Sequence, residues 1–208
     1  PFGEAALGFA LVRCSSNPPK TIQETIEKTL RKILQEKIRL TASGRTDAGV
    51  HAFAQVANFK TSSGINPQKL QRALNGLLPD TITINKVENV CPAFHSRFDA
   101  KSKVYRYTIL NRAYPSALLR DRVYFYPCPL DIKLMRRASR CLLGRHNFKS
   151  FCASGSSVKD TVRTIKKITV QRIPYNLQPT TYNLKGPSLV VIDIEADGFL
   201  YNMVRSIV

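Results

Sequence analysis

In the stretch ASGRTDAGVHAF, residues 42–53, Asp47 stands between two glycines, with an arginine two residues before it and a histidine four residues after. Gly44 and Gly49 allow backbone conformations that a Cβ forbids, and they let another chain approach closely. A carboxylate on so short a turn is suited to act as nucleophile or base. Arg45 can contact a phosphate or favour the ionised carboxylate. His51 can fix the loop by a hydrogen bond or touch a ligand. The spacing equally admits a plain turn in which Asp47 only hydrogen-bonds its own backbone, as Asp commonly does. Taken alone, the spacing favours that plain turn.

The flanking segments must hold this loop in place. IRLTA (38–42) and FAQVANF (53–59) read as the strands on either side of it. Residues 5–12 read as an earlier apolar strand, followed by a turn at SSNPPK. Thr21 and Glu24 then spell a capping box, with Ile22, Ile26, Leu30, Ile33 and Leu34 at helical spacing behind it. Asn66 caps a second helix, with Pro67 in its first position and an apolar face of Leu70, Ala73, Leu74 and Leu77. TITINKV (81–87) and KVYRYTIL (103–110) are strands by alternation and β-branched or aromatic content. Alternation puts Tyr105, Tyr107 and Ile109 on one face.

Asp131 starts a third helix through Leu134, Met135, Ala138 and Leu142, with Gly144 as its left-handed cap. TVRTIKKITVQRI (161–173) and LVVIDIEA (189–196) are strands, and FLYNMVRSIV (199–208) is a terminal helix. CASGSSVKD (152–160) and PYNLQPTTYNLKGP (174–187) read as surface loops. The rhythm predicts an α+β fold: a largely antiparallel sheet with helices packed on one face, in two similar α+β halves. The halves are residues 1–100, carrying the Asp47 loop, and 101–208, carrying the Tyr105 strand and the Arg205 helix.

The chain of 208 residues carries 32 Lys and Arg against 14 Asp and Glu, a formal net charge of +18. With 43% hydrophobic residues it has the material for a real core, so the charge belongs to a folded body. Such an excess repels itself unless a polyanion screens it, which makes nucleic acid the leading partner and an anionic membrane surface the second. No apolar run approaches the roughly 18 residues of a membrane span, and no segment has the order of a signal peptide. The five cysteines are scattered without a C-x-x-C pair, as expected for free thiols in a reducing, intracellular compartment. The three histidines lie far apart, and no metal is expected. The chain does not begin with Met and stops within its last predicted helix, so a piece of a longer protein is expected.

GRTDAGVHA (44–52) resembles the signature of the TruA-type tRNA pseudouridine synthases. FHSRFDAKSKVYRY (94–107) resembles the family's Phe-His-x-Arg and Tyr-x-Tyr segment, and LLGRHNFKSF (142–151) its helix-end motif. VRTI, VVIDIEADGFLYNMVRSIV and the early TIQETIEKTL fall in the family's order, so the likeness covers almost the whole chain. Within the family it is most similar to the eukaryotic pseudouridylate synthase 1-like branch. It departs at FGEAALGFA, where the family's Tyr-Asp-Gly strand and Gly-Trp-Gln turn keep only the Gly.

The resemblance implies a pseudouridine synthase fold, and isomerisation of a uridine in tRNA without an external cofactor. The N-glycosidic bond is cleaved and the base is rejoined through C5. It makes Asp47 the catalytic carboxylate and Tyr105 the ring that stacks on the detached base. Arg205 becomes the ion-pair partner of Asp47, and Arg45 the side chain that fills the flipped nucleotide's place or grips its phosphate. His51, Arg97, Lys101, Lys103 and Arg106 are candidate RNA contacts. The competing readings are a buried aromatic pair, retained for Tyr107, and a solvated arginine on the last helix for Arg205. A homodimer across one tRNA is implied, in a mitochondrial, nuclear or cytoplasmic compartment. The rival functions are a non-catalytic RNA-binding module of the same fold and a metal-dependent nuclease.

Overall fold

The computed structural model describes residues 3–11, 21–155, 158–174 and 188–208, with side chains from residue 21 onward. The SSNPPK turn, residues 175–187 of the second loop and part of CASGSSVKD lie outside the described residues. The chain divides into two compact units, Pro1–Ala100 and Lys101–Val208.

The first unit runs β1 (Gly3–Leu11), α1 (Ile22–Leu34), β2 (Thr41–Ala42), β3 (Ala52–Thr61), α2 (Pro67–Leu77) and β4 (Ile82–Val90). Its sheet has the order β2-β3-β1-β4, and every pairing is antiparallel. Helix α1 begins where Thr21 Oγ1 accepts the Glu24 N–H at 3.1 Å. It buries Ile26, Leu30 and Leu34 against Phe59 of β3 and Ile82, Ile84 and Val87 of β4. Helix α2 is capped by Asn66 Oδ1, which accepts from the Gln68 and Lys69 amides, and buries Leu70 and Leu74 in the same core. Leu77 does not join them. The chain turns extended at Leu78, which is 7% exposed and takes the core position, while Leu77 is 58% exposed.

The expected strand IRLTA is only two residues long. Glu27 of α1 accepts the Leu40 N–H at 2.9 Å, and Gln23 Nε2 donates to the Leu40 carbonyl at 3.1 Å. With its N–H taken by a helix side chain, Leu40 has no donor left for a ladder, and pairing starts at Thr41. A second side-chain clasp serves β4. Its register against β1 shifts between Gly8 and Phe9, leaving Asn85 as an extra residue. Asn75 of α2 brackets the neighbouring Ile84, accepting its N–H at 2.7 Å and donating to its carbonyl at 3.0 Å. This bulge explains why the buried positions run Ile82, Ile84 and then Val87, instead of strict alternation.

The second unit runs β5 (Lys103–Asn111), β6 (Tyr124–Tyr126), α3 (Ile132–Ser139), β7 (Gly144–Asn147), β8 (Val162–Pro174), β9 (Ser188–Ala196) and α4 (Met203–Ile207). The sheet order is β6-β5-β9-β8-β7; β6 pairs parallel to β5, and the other pairings are antiparallel. Central β9 supplies Val190, Ile192, Ile194 and Ala196 to a core shared with Ile109, Ile165, Val170, Phe148 and the α4 residues Met203 and Val204.

Three expectations change here. Helix α3 stops at Ser139, and a 3-10 turn at Arg140–Leu142 follows it. Gly144 has the positive φ of +97°, yet it opens β7 across from Ile165 and caps no helix. The terminal helix starts only at Met203, because Asn202 adopts a left-handed φ of 56° that an α-helix cannot contain. Strands β6 and β7 were not foreseen. All four residues of β7 are exposed, so it carries no apolar alternation to detect.

Glu36 closes the junction between α1 and β3. Its carboxylate accepts from the Ser62 hydroxyl at 2.6 Å, the Ser62 amide at 3.2 Å and Thr61 Oγ1 at 3.0 Å. The Ser62 hydroxyl bond first, with the other bonds adding and slight burial opposing, holds the carboxyl below the ordinary glutamate range. A depressed folded pKa stabilises above the unfolded pKa and loses that contribution as pH falls through the folded value. Glu36→Gln is therefore expected to lower stability most near neutral pH. The gap to wild type should narrow on acidification below about pH 4, read by urea unfolding at several pH values.

Candidate functional site

The Asp47 loop springs from β2 and is closed by its own main chain. The Ser43 N–H donates to the Val56 carbonyl at 2.8 Å, and Gln55 Nε2 donates to the Gly44 carbonyl, gripping the loop's entry. The Val50 N–H donates to the Asp47 carbonyl at 3.1 Å, and Gly49 has φ +82°. That places Asp47-Ala48-Gly49-Val50 in a turn whose third residue needs a positive φ, the type II arrangement. Gly49 answers the backbone demand: a Cβ there would meet nothing within 4 Å, so the cost of any other residue is conformational.

The Asp47 side chain is exposed and makes no hydrogen bond or ion pair among the described residues. The turn uses its carbonyl and leaves the carboxylate unspent. Arg45 on the same loop is exposed. His51 is half-buried, and its Nε2 is enclosed without a hydrogen-bond partner among the described residues. An RNA contact through that nitrogen would need the ring to move.

The loop's base is tied to the FHSRF segment. Ser96, 3% exposed, donates its hydroxyl to the Thr41 carbonyl at 2.6 Å and its amide to Asn58 Oδ1 at 3.1 Å. Asn58 returns a bond from Nδ2 to the Phe94 carbonyl at 3.3 Å. Arg97 stands exposed on this segment, its guanidinium carbon 5.9 Å from the Phe98 ring centre. So the first unit brings Arg45, Asp47 and His51 onto one loop, with Arg97 on the turn bonded to its base.

In the second unit Tyr105 and Tyr107 lie across from Ile194 and Ile192 of β9 and share a face of β5. Both pack half-buried against the core. Tyr105 meets Phe199 edge-on, with ring centres 6.0 Å apart and planes at 75°. Tyr107 lies 6.3 Å from the ring of Tyr124. Burial pushes the Tyr107 phenol above its ordinary pKa, the positive charge of Arg205 works against that, and Tyr124 and Tyr105 add to it. Arg205, exposed on α4, is thus within electrostatic reach of the tyrosine face. Phe199 was not foreseen; aromatic alternation identifies a face but not what packs beside it.

Lys103 falls on the same side of β5 by alternation. Arg106 falls on the other and grips Asp193 with two bonds, Nε to Oδ1 at 2.7 Å and Nη2 to Oδ2 at 2.8 Å. That bidentate pair raises the arginine's pKa and commits its fork, so a phosphate reaching Arg106 has to displace a carboxylate. Lys101 is exposed, and its carbonyl accepts from Lys166 Nζ at 2.7 Å. Among the described residues, no group of three His, Cys, Asp or Glu side chains is placed to hold a metal ion. No helix among them is long and apolar enough to cross a membrane.

The chain also matches known proteins along most of its length. A model of the tRNA pseudouridine synthase family matches residues 2–99 and 138–208. The chain is 46% identical to tRNA pseudouridine synthase A of Acetivibrio thermocellus over 189 residues, which is 91% of this chain and 72% of that protein. It is 42% identical to tRNA pseudouridine synthase A of Thermoanaerobacter sp. over 90% of this chain and 72% of the relative. With tRNA pseudouridine synthase A 2 of Clostridium tetani the identity is 46%, over 90% and 71%. A solved structure titled as an unknown protein from Galdieria sulphuraria covers 100% of the chain at 12% identity and a TM-score of 0.31, too weak to inform the fold. The chain belongs to the tRNA pseudouridine synthase family, a family of isomerases. These relatives are bacterial, and none speaks for the eukaryotic branch that the motifs suggested.

The Tyr107–Arg205 proximity is testable. Because Arg205 lowers the Tyr107 pKa, Arg205→Ala is expected to shift that tyrosine's titration to higher pH, followed by NMR of labelled tyrosine ring carbons. An unchanged Tyr107 titration means that the guanidinium is too distant to matter.

Proposed function

We propose that this protein converts a uridine of tRNA to pseudouridine, and that Asp47 begins the reaction. The observation that carries the assignment is the exposed Asp47 carboxylate, left unpaired among the described residues by a turn that closes through main-chain bonds, within a chain of this family. The carboxylate acts on the sugar of an extruded uridine, by adding at C1′ or by starting elimination across the glycosidic bond. The N1–C1′ bond breaks, the uracil turns, and a C5–C1′ bond forms. The C5 hydrogen leaves as a proton and N1 gains one, so nothing is oxidised and no group is transferred. A glycosidase needs a second carboxylate to place water, whereas an isomerase must keep water out, and one acid suffices.

In this reading Tyr105 stacks on the detached uracil, and Arg205 supports the charge of Asp47. Arg45 fills or grips what the flipped nucleotide vacates, at a flipping cost of a few kcal/mol. Tyr105 sits on a half-buried aromatic face, which is the setting such stacking requires. His51, Arg97, Lys101, Lys103 and Arg106 are the candidate backbone contacts within a +18 field, Arg106 least so because of Asp193. We read the protein as a homodimer in an intracellular compartment. The relatives' bacterial names weigh against the eukaryotic branch.

Rejoining at C5 must expel that carbon's hydrogen. Full-length protein given tRNA transcript tritiated at C5 is expected to release label to water. Asp47→Asn should still bind the transcript while release falls by roughly 10⁴-fold or more. Binding without release by the wild type, across tRNA substrates, leaves the non-catalytic module as the better reading. Strand cleavage abolished by a chelator would point to the nuclease instead.

A further inference from the structure

We infer that Phe98 is a stacking platform for an unpaired nucleobase of the bound RNA, a contact lying outside the catalytic roles assigned above. The proposal rests on the reading of the protein as an RNA-modifying enzyme. Phe98 is 76% exposed, on a turn that has been made rigid around it. The Phe98 and Asp99 amides both donate to the His95 carbonyl, at 3.1 and 2.9 Å, and Asp99 Oδ2 accepts the His95 N–H at 2.8 Å. His95 Nδ1 accepts from the Arg97 and Phe98 amides at 3.2 and 3.3 Å, which fixes the imidazole. That imidazole packs on Phe98 with ring centres 4.2 Å apart and planes 34° from parallel.

The ring is therefore backed and oriented, yet most of it faces solvent. An exposed phenylalanine does nothing for the core, and so much local hydrogen bonding only to hold it out indicates a use. Its neighbours name the ligand. Arg97 sets a cation 5.9 Å from the ring centre, and the chain carries +18 overall, which suits a polyanion bearing flat π faces. One ring beside a charged guanidinium is far short of the roughly 800 Å² per partner that a stable protein interface needs. The turn is also anchored to the active loop: Ser96, two residues before Phe98, bonds the Thr41 carbonyl at the root of the Asp47 segment. A base held on Phe98 would fix the register of the strand relative to that loop.

The test uses full-length protein, unmodified tRNA transcript and the variants Phe98→Ala, Phe98→Leu, Phe98→Trp and Arg97→Ala. Phe98→Ala and Phe98→Leu are each expected to weaken transcript binding about tenfold with an unchanged dependence on salt, since no charge is lost. Arg97→Ala should make that salt dependence shallower by about one ion. Phe98→Trp should keep affinity, and its indole emission should be quenched on adding RNA. Phe98→Ala binding within about twofold of wild type overturns the proposal. So does Phe98→Leu binding like wild type, which makes the contact merely apolar. Unquenched indole emission at saturation overturns it as well, as does a change of oligomeric state at unchanged RNA affinity. Tritium release by the wild type separates the two claims. If label is released and Phe98 variants bind normally, only the stacking site falls; if none is released, the enzyme reading falls.

Discussion

The hydrogen bond from the Val50 amide to the Asp47 carbonyl is the constraint on which the rest of this molecule's chemistry depends. It closes a tight turn with main-chain atoms alone and leaves the side chain of its first residue free of structural duty among the described residues. Gly49 makes that possible by taking a conformation other residues resist. Around it the structure repeatedly uses side chains to satisfy main-chain groups. Gln55 holds Gly44, Ser96 holds Thr41, and Asn58 holds Phe94 and Ser96 of the FHSRF segment. The loop is thus rigid at its root and bare at its tip, as a reactive group requires.

Much of this was legible in the residues, for identifiable physical reasons. The caps at Thr21, Asn66 and Asp131 are local, each bonding an amide two or three residues on, and all three stand where the sequence puts them. The long strands β8 and β9 announce themselves by β-branched content. What sequence could not show depends on partners distant along the chain. IRLTA has every local feature of a strand, yet α1 claims the main chain of Leu40. β7 is exposed throughout and forms only because β8 offers an edge. Asn202 breaks the last helix where apolar periodicity runs on unbroken. Its left-handed backbone suits a side chain that tolerates that region.

The site divides in the same way. Asp47, Arg45 and His51 were identifiable because they lie within seven residues on one loop. The aromatic face of β5 was identifiable by alternation and Arg205 by the likeness of its segment, but Phe199 was not: it comes from beyond β9 and reaches Tyr105 only through the fold. Arg106 shows the converse. By composition it is one more cation in a basic segment, and only the register Arg106↔Asp193 reveals that a neighbouring strand has neutralised it. A count of basic residues therefore overstates the field available to a polyanion.

The bulge at Asn85 bears on how the first unit assembles. Asn75 supplies both an acceptor and a donor to Ile84, and Gln71 donates to the carbonyls of Ile84 and Asn85 at 3.1 and 2.8 Å. Helix α2 and strand β4 are joined by a connection of only a few residues, so their meeting closes a short loop at small entropic cost. Main-chain groups of β4 at this point are satisfied by side chains of α2, which makes the helix and its strand a single cooperative piece. That piece presents a ready edge to β1 from the start of the chain. Since β1 and β4 lie far apart in sequence, a preformed template reduces the long-range search to one docking event.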